Sequence, residues 1–201
     1  DAGLMNMTSG EPFAGLFTQG MVTHETYKSA DGKWLLPDDV DQGPEGPVEI
    51  ATGKPVTVGA IEKMSKSKKN VVDLDAFIEN YGADAARWFI LSDSPPERDV
   101  EYTDSGVEGV WRFIQRLWTT VNSLPDGAPG PLTVAGDASG EALDVRRAAH
   151  KALQAVTDAI EGFRFNSAVA QVHDIVNVLR KYEPVDTSGI AAKSEALGIL
   201  V

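Results

Sequence analysis

The sequence predicts a mixed α/β region followed by an all-helical bundle, and three observations carry that reading. Residues 23–60 hold Gly32, Pro37, Gly43, Pro44, Gly46, Pro47, Gly53 and Pro55 among short β-prone bits, the pattern of a small hairpin-rich unit. From Ser105 onward, apolar residues instead recur at three- and four-residue spacing over long runs, the signature of amphipathic helices. The change of pattern near residue 103 divides the chain.

Taken in order, Glu11 to Gln19 has helical spacing in Phe13, Leu16 and Phe17, with Pro12 tolerated in the first turn. Gly20-Met21-Val22 reads as a short strand. After residue 60, Asp73 is a plausible N-cap for a short helix carrying Phe77 and Ile78 and closed by Gly82. Asp84 is expected to cap the next, with Ala85, Trp88, Phe89 and Leu91 as its apolar face and Pro95-Pro96 beyond its end. Ser105-Gly106-Val107-Glu108 has the form of a capping box. Behind it Val107, Val110, Trp111, Ile114, Leu117, Trp118, Val121 and Leu124 mark a long helix, stopped by Pro125-Asp126-Gly127. A Gly/Pro-rich linker follows to about Gly140. Val145, Ala149, Ala152, Val156, Ile160 and Phe163 make the next stripe. Asn166 is expected to cap a helix carrying Val169, Val172, Val176 and Leu179, and a fourth begins near Ser188. Such regular stripes are core rather than cofactor boxes. No internal repeat is evident.

At 201 residues the chain can bury a real core as one domain or two small ones. Its composition, 42% hydrophobic and 24% charged, is that of an ordinary globular protein. No stretch approaches the roughly 18 consecutive apolar residues of a membrane span, so no membrane partner is expected. No leader is visible either. The absence of cysteine excludes disulfides and thiolate metal sites. The net charge of −12 argues weakly against RNA binding, so any such contact must come from local basic patches. Lys63 to Lys69 and Arg146-Arg147 with Lys151 are the candidates. His24, His150 and His173 are isolated in sequence, and His173 reads as a helix-surface residue. Gly53-Lys54 lacks the spacing of a P-loop, and no G-x-G-x-x-G occurs.

The candidate site is Lys63-Met64-Ser65-Lys66-Ser67, with Lys68, Lys69 and Asn70 behind it. Four lysines within seven positions, spaced by hydroxyl side chains, make a compact polar loop suited to a polyphosphate. Ammonium groups act as movable point charges, and hydroxyls and backbone N–H groups fill the remaining phosphate acceptors. Alone, such a string also fits a solvated surface turn. Its flanks decide: Glu11-Pro12-Phe13 and Thr18-Gln19-Gly20-Met21-Val22 upstream, then Asn70-Val71-Val72-Asp73, Tyr81-Gly82-Ala83-Asp84, Ser105-Gly106-Val107-Glu108-Gly109 and Arg164-Phe165-Asn166-Ser167-Ala168 downstream.

This ordered series resembles the bacterial leucyl-tRNA synthetases over nearly the whole chain, with the lysine string in the place of the class I signature KMSKS. The resemblance implies that residues 1–102 are the C-terminal part of a class I Rossmann-type catalytic domain. Residues 23–60 would be its leucine-specific insertion and 63–67 its KMSKS loop. Residues 103–201 would be a truncated helical bundle of the anticodon-binding type. It implies ATP, with Mg2+ on its phosphates, leucine and tRNA(Leu) as ligands of the parent enzyme, and a cytoplasmic location; a monomer is expected. Lys66 would contact the phosphates and Lys63 assist. Ser65 and Ser67 would donate hydrogen bonds while Met64 packs the loop. Lys68 and Lys69 would stay solvated, and the family often has glycine where Lys69 stands. Gln19 and Gly20 would sit at the end of a strand facing the nucleotide. The first class I signature, His-x-Gly-His, is absent, so the isolated chain is expected to be inactive. The alternatives are a sister enzyme for isoleucine, valine or methionine, and a non-catalytic RNA-binding module of synthetase ancestry.

Overall fold

The computed structural model describes residues 10, 12–123 and 137–201. Two bodies of secondary structure meet there: three small sheets with two short helices, then four longer helices. The central sheet is built from β1 (Val22–His24), β7 (Glu62–Lys63) and β8 (Val100–Glu101). β1 lies in the middle, antiparallel to β7 with Thr23 opposite Lys63, and parallel to β8 with Val22 opposite Val100. A parallel pair needs a long crossover. Here it runs from residue 25 to residue 99 and contains both short helices.

The hairpin-rich reading of residues 23–60 holds. β2 (Tyr27–Lys28) pairs with β3 (Trp34–Leu35) and with β6 (Thr57–Val58). β4 (Val40–Gly43) and β5 (Gly46–Glu49) form a second hairpin closed at Pro44-Glu45. Gly46 has φ +124°, a backbone that favours glycine. The entering and leaving segments of the unit are joined by Thr26, buried, whose Oγ1 donates to the Ala60 carbonyl at 3.0 Å.

α1 (Leu74–Tyr81) starts as expected, the Asp73 carboxylate accepting the N–H groups of Asp75 and Ala76. Gly82, at φ +86°, ends it and also begins α2 (Ala83–Ser92). One glycine serving both helices leaves Asp84 inside the first turn rather than at the cap. There it pairs with Arg87 at 2.8 Å and faces the positive helix terminus.

α3 spans Asp104–Val121, and its cap is Thr103, whose Oγ1 accepts from the Gly106 N–H; the expected capping box at Ser105 does not form. The Tyr102 N–H still bonds Thr23 in the sheet, which holds Thr103 extended, so the helix begins where the sheet releases the chain. Pro125-Asp126-Gly127 and most of the linker expected to follow lie outside the described residues. α4 (Gly140–Glu161), α5 (Phe165–Lys181) and α6 (Thr187–Leu200) complete the bundle. The turn between α4 and α5 is too short for Asn166 to stand outside a helix, and Arg164 takes the cap position instead. On α4, Ala159 is buried and Ile160 is exposed, because the packed face follows small residues at the close crossing with α5.

The largest departure is at the amino-terminal side. No helix forms over the described part of residues 11–19, and Phe13 and Leu16 are exposed. A nine-residue amphipathic stretch is below the length at which a helix holds itself in water. Of its three apolar side chains Phe17 stacks on Phe163 at 4.8 Å, while Phe13 and Leu16 stay uncovered.

Two cores result. Phe77, Ala85, Phe89, Val100 and Val107 join α1, α2, β8 and the start of α3. Val145, Ala149, Ile175, Leu179, Ala192, Ala196 and Leu197 form the bundle core. Where they meet, three rings cluster: Phe113 of α3 packs against Trp88 of α2 (5.2 Å) and His173 of α5 (3.6 Å), which also contact each other (6.2 Å).

Candidate functional site: the lysine loop

β7 delivers the loop. The antiparallel register carries the chain from Lys63, opposite Thr23, into Met64, whose N–H donates to the Val22 carbonyl at 3.1 Å. Met64 then turns its side chain into an apolar pocket of 170 Å³ with Val22, Val72, Leu74, Phe77, Phe89 and Tyr102. The expected packing role of Met64 therefore has a site. The turn itself is made by polar atoms. Ser65 Oγ accepts the Lys68 N–H at 3.3 Å and lies 3.3 Å from Ser67 Oγ, and the Lys69 N–H reaches the Lys66 carbonyl at 3.4 Å. Lys69 has φ +56°, the left-handed region that favours glycine. A glycine at this place would relieve that strain.

The lysines divide into two kinds. Lys63, Lys66 and Lys69 are exposed. Lys68 is half-buried and its ammonium is held by the Glu62 carboxylate, so it is not the solvated residue the sequence suggests. Glu62 carries no motif signal; only the opposite charge six positions away could have pointed to it. Lys63 and Lys66 thus stand exposed on the same short stretch that carries the hydroxyls of Ser65 and Ser67. That arrangement can collect several oxygens of one phosphate chain and can close onto it by side-chain rotation alone.

Gln19 and Gly20 lie at the amino end of β1, not at the carboxyl end of a strand. Gly20 packs directly on the backbone of Arg98 and Asp99, and its N–H donates to the Pro96 carbonyl at 2.8 Å. Since β7 is antiparallel, the lysine loop leaves the sheet at this same end. Gln19 is exposed and lines a small pocket with Phe17, Met21, Leu91 and Arg98.

The second basic candidate changes character. Arg146 is mostly buried, and its guanidinium binds Glu195, which is 1% exposed, with Nε 2.7 Å from Oε2; His150 Nε2 lies 2.8 Å from the other carboxylate oxygen. These side chains brace α4 against α6. Arg147, paired loosely with Asp144 at 3.6 Å, and Lys151 remain exposed. His173 is likewise not a surface residue: it is half-buried against Phe113. Burial and the nearby Arg116 charge hold its pKa below 6.5. Tyr27, in the hairpin unit, donates to Glu25 at 2.9 Å, and burial with that carboxylate pushes its hydroxyl up to about 12. Among the described residues no group of His, Asp and Glu converges as a metal site, and no helix is long and apolar enough to cross a membrane.

Known proteins match this chain closely. A family model described as "tRNA synthetases class I (M)" matches residues 45–111. The leucine--tRNA ligase of Maricaulis maris (strain MCS10) is 85% identical over 200 residues, covering 100% of this chain and 23% of the relative. That of Hyphomonas neptunium (strain ATCC 15444) is 57% identical with the same coverage. The chain spans less than a quarter of the length of the curated relatives it matches. Among solved structures, the ternary complex of Agrobacterium radiobacter K84 agnB2 LeuRS-tRNA-LeuAMS is similar with a TM-score of 0.60 and 22% identity, over 94% of this chain and 21% of that one. At that identity the likeness shows the fold: a segment like that of a class I synthetase, with small sheets and helices. Over its whole length the sequence corresponds to a segment of leucine--tRNA ligases.

Proposed function

From that full-length match we propose that this chain is the part of a leucine--tRNA ligase that carries the phosphate-binding lysine loop. The match at 85% identity over 100% of the chain is the observation that carries the reading, and it favours leucine over the sister amino acids. The parent protein joins leucine to ATP as leucyl-adenylate, releases pyrophosphate, and passes leucine to tRNA(Leu). Residues 1–102 belong to its catalytic domain, with 23–60 as the leucine-specific insertion, and 103–201 form a bundle of the anticodon-binding type that braces the tRNA. Arg147 and Lys151 are the exposed cations of its second basic patch. ATP and tRNA place the work in the cytoplasm, and the protein acts as a monomer.

Negative charge grows on pyrophosphate as the α-phosphate bond breaks. Lys66 and Lys63 meet that charge with ammonium groups, and Ser65 and Ser67 donate to the remaining oxygens. Stabilisation that appears only as the bond breaks raises kcat. Magnesium, bound to the ATP phosphates, supplies further charge neutralisation.

ATP–pyrophosphate exchange by the full-length protein tests the reading, with leucine, isoleucine, valine or methionine as substrate. Leucine is expected to drive exchange, and Lys66→Ala to lower kcat by about a hundredfold, the usual scale for losing one such stabilising group. Exchange driven by another amino acid, or an unimpaired Lys66→Ala protein, would refute it.

A further inference from the structure

We propose that Asn70 is the positioning residue of the lysine loop: its buried side chain fastens the loop's beginning to both strands that carry it. The inference rests on reading the loop as the phosphate-binding element. Asn70 is fully buried, and its carboxamide is used on both sides. Oδ1 accepts the Ser65 N–H at 2.9 Å. Nδ2 faces three carbonyls, those of His24 (3.2 Å), Glu62 (3.2 Å) and Lys63 (3.4 Å). His24 and Glu62 are partners in the β1–β7 register, so the amide sits across the strand pair just where the loop departs.

No other side chain among the described loop residues reaches both strands and the turn. Ser65 and Ser67 bond only within the turn, and Lys68 reaches only Glu62. Lys69, at positive φ, provides the bend that brings Asn70 back beneath the loop it closes. The chemistry also requires an amide. A carboxylate could accept from Ser65 but would face three carbonyl oxygens with no proton to share. An apolar residue would leave the Ser65 N–H without its acceptor and bring no donor to the three carbonyls. With the loop's feet fixed, Lys63 and Lys66 need only swing their side chains to meet developing charge, which keeps their cost of ordering low.

The test uses the full-length protein with Asn70→Ala, Asn70→Asp and Lys66→Ala. Two readouts are compared: steady-state exchange, and timed trypsin digestion mapped for cleavage after the loop lysines. Asn70→Ala is expected to lower kcat about tenfold or more, on the scale of lost buried hydrogen bonds. The KM for leucine should stay within about twofold, since uniform binding is untouched. Loop cleavage should speed up about tenfold, because the tether no longer opposes local opening. Lys66→Ala should lower kcat without faster cleavage at the other lysines, which separates chemistry from positioning. Asn70→Asp, nearly the same size, should follow Asn70→Ala in both readouts. Wild-type rates of loop cleavage in a folded Asn70→Asp or Asn70→Ala protein would overturn the proposal. If the wild-type protein exchanges with no amino acid, the functional reading falls, while digestion still decides whether Asn70 is the tether.

Discussion

His173 sits where the sheet-bearing half meets the bundle, its ring 3.6 Å from that of Phe113 and 6.2 Å from that of Trp88. Burial, with the Arg116 charge, favours its neutral form and lowers its pKa from 6.5, while Asp174 opposes the shift. A depressed histidine pKa means that the unfolded chain takes up the proton first. Its contribution to stability is complete above pH 6.5 and declines as pH falls from there toward the lower folded value. Replacing the imidazole removes this dependence. Melting temperatures taken at about pH 7.5 and about pH 5.5 should therefore fall more for the wild-type chain than for His173→Gln. Equal falls would show that the junction does not resist protonation. The sequence hid this because it presents His173 between Val172 and Ile175 without showing that Phe113, sixty positions earlier, lies on top of it. Arg146 was hidden in the same way: its neighbour Arg147 suggested a basic patch, and only the α4–α6 packing brings Glu195 against it.

At the scale of elements, close approach decides where the central sheet can exist. Gly20 lies so near the Arg98 carbonyl and the Asp99 amide that a methyl group would overlap both. Gly20→Ala must therefore push the 95–99 loop away, and β8 with it, since β8 follows directly. A cost of about 1–3 kcal/mol is expected, the usual range for overpacking. It would be read as a lower urea midpoint, with Gly15→Ala, which meets no neighbour, as the control. A midpoint for Gly20→Ala equal to the control would remove the argument. The helices from Leu74 onward were legible in sequence, but the one expected over 11–19 does not form and several caps lie elsewhere. Thr103, Gly82 and Arg164 took the cap positions because sheet hydrogen bonds or short connections fixed where each helix could begin. The lysine loop was legible as a unit, although its internal division was not. Lys68 differs from Lys66 only through Glu62, and Asn70 is set apart only by the three carbonyls above it.

For the molecule as a whole, α3 is the connection between the two cores. Val107 near its start is buried with Phe89 and Val100, whereas Val121 at its end packs on the bundle. Phe113, 2% exposed, occupies the middle. Phe113→Ala should cost about 3–5 kcal/mol and lower the unfolding midpoint of both halves together. Tryptophan fluorescence, reporting Trp34 and Trp88 with the α3 tryptophans, and far-ultraviolet circular dichroism should move as one transition. Separate transitions would mean that the halves fold independently. Pattern along the chain alone reveals the hairpin-rich insert, the helical stripes after residue 73 and the lysine motif with its family resemblance. These depend on local periodicity, turn chemistry and short-range spacing, all of which are written along the chain. The tertiary structure alone decided which charges are buried, which lysines are free, and that residues 12–19 are not helical. Those outcomes depend on which distant side chains arrive at the same place, and a burial or ion-pair energy exists only once both partners are there.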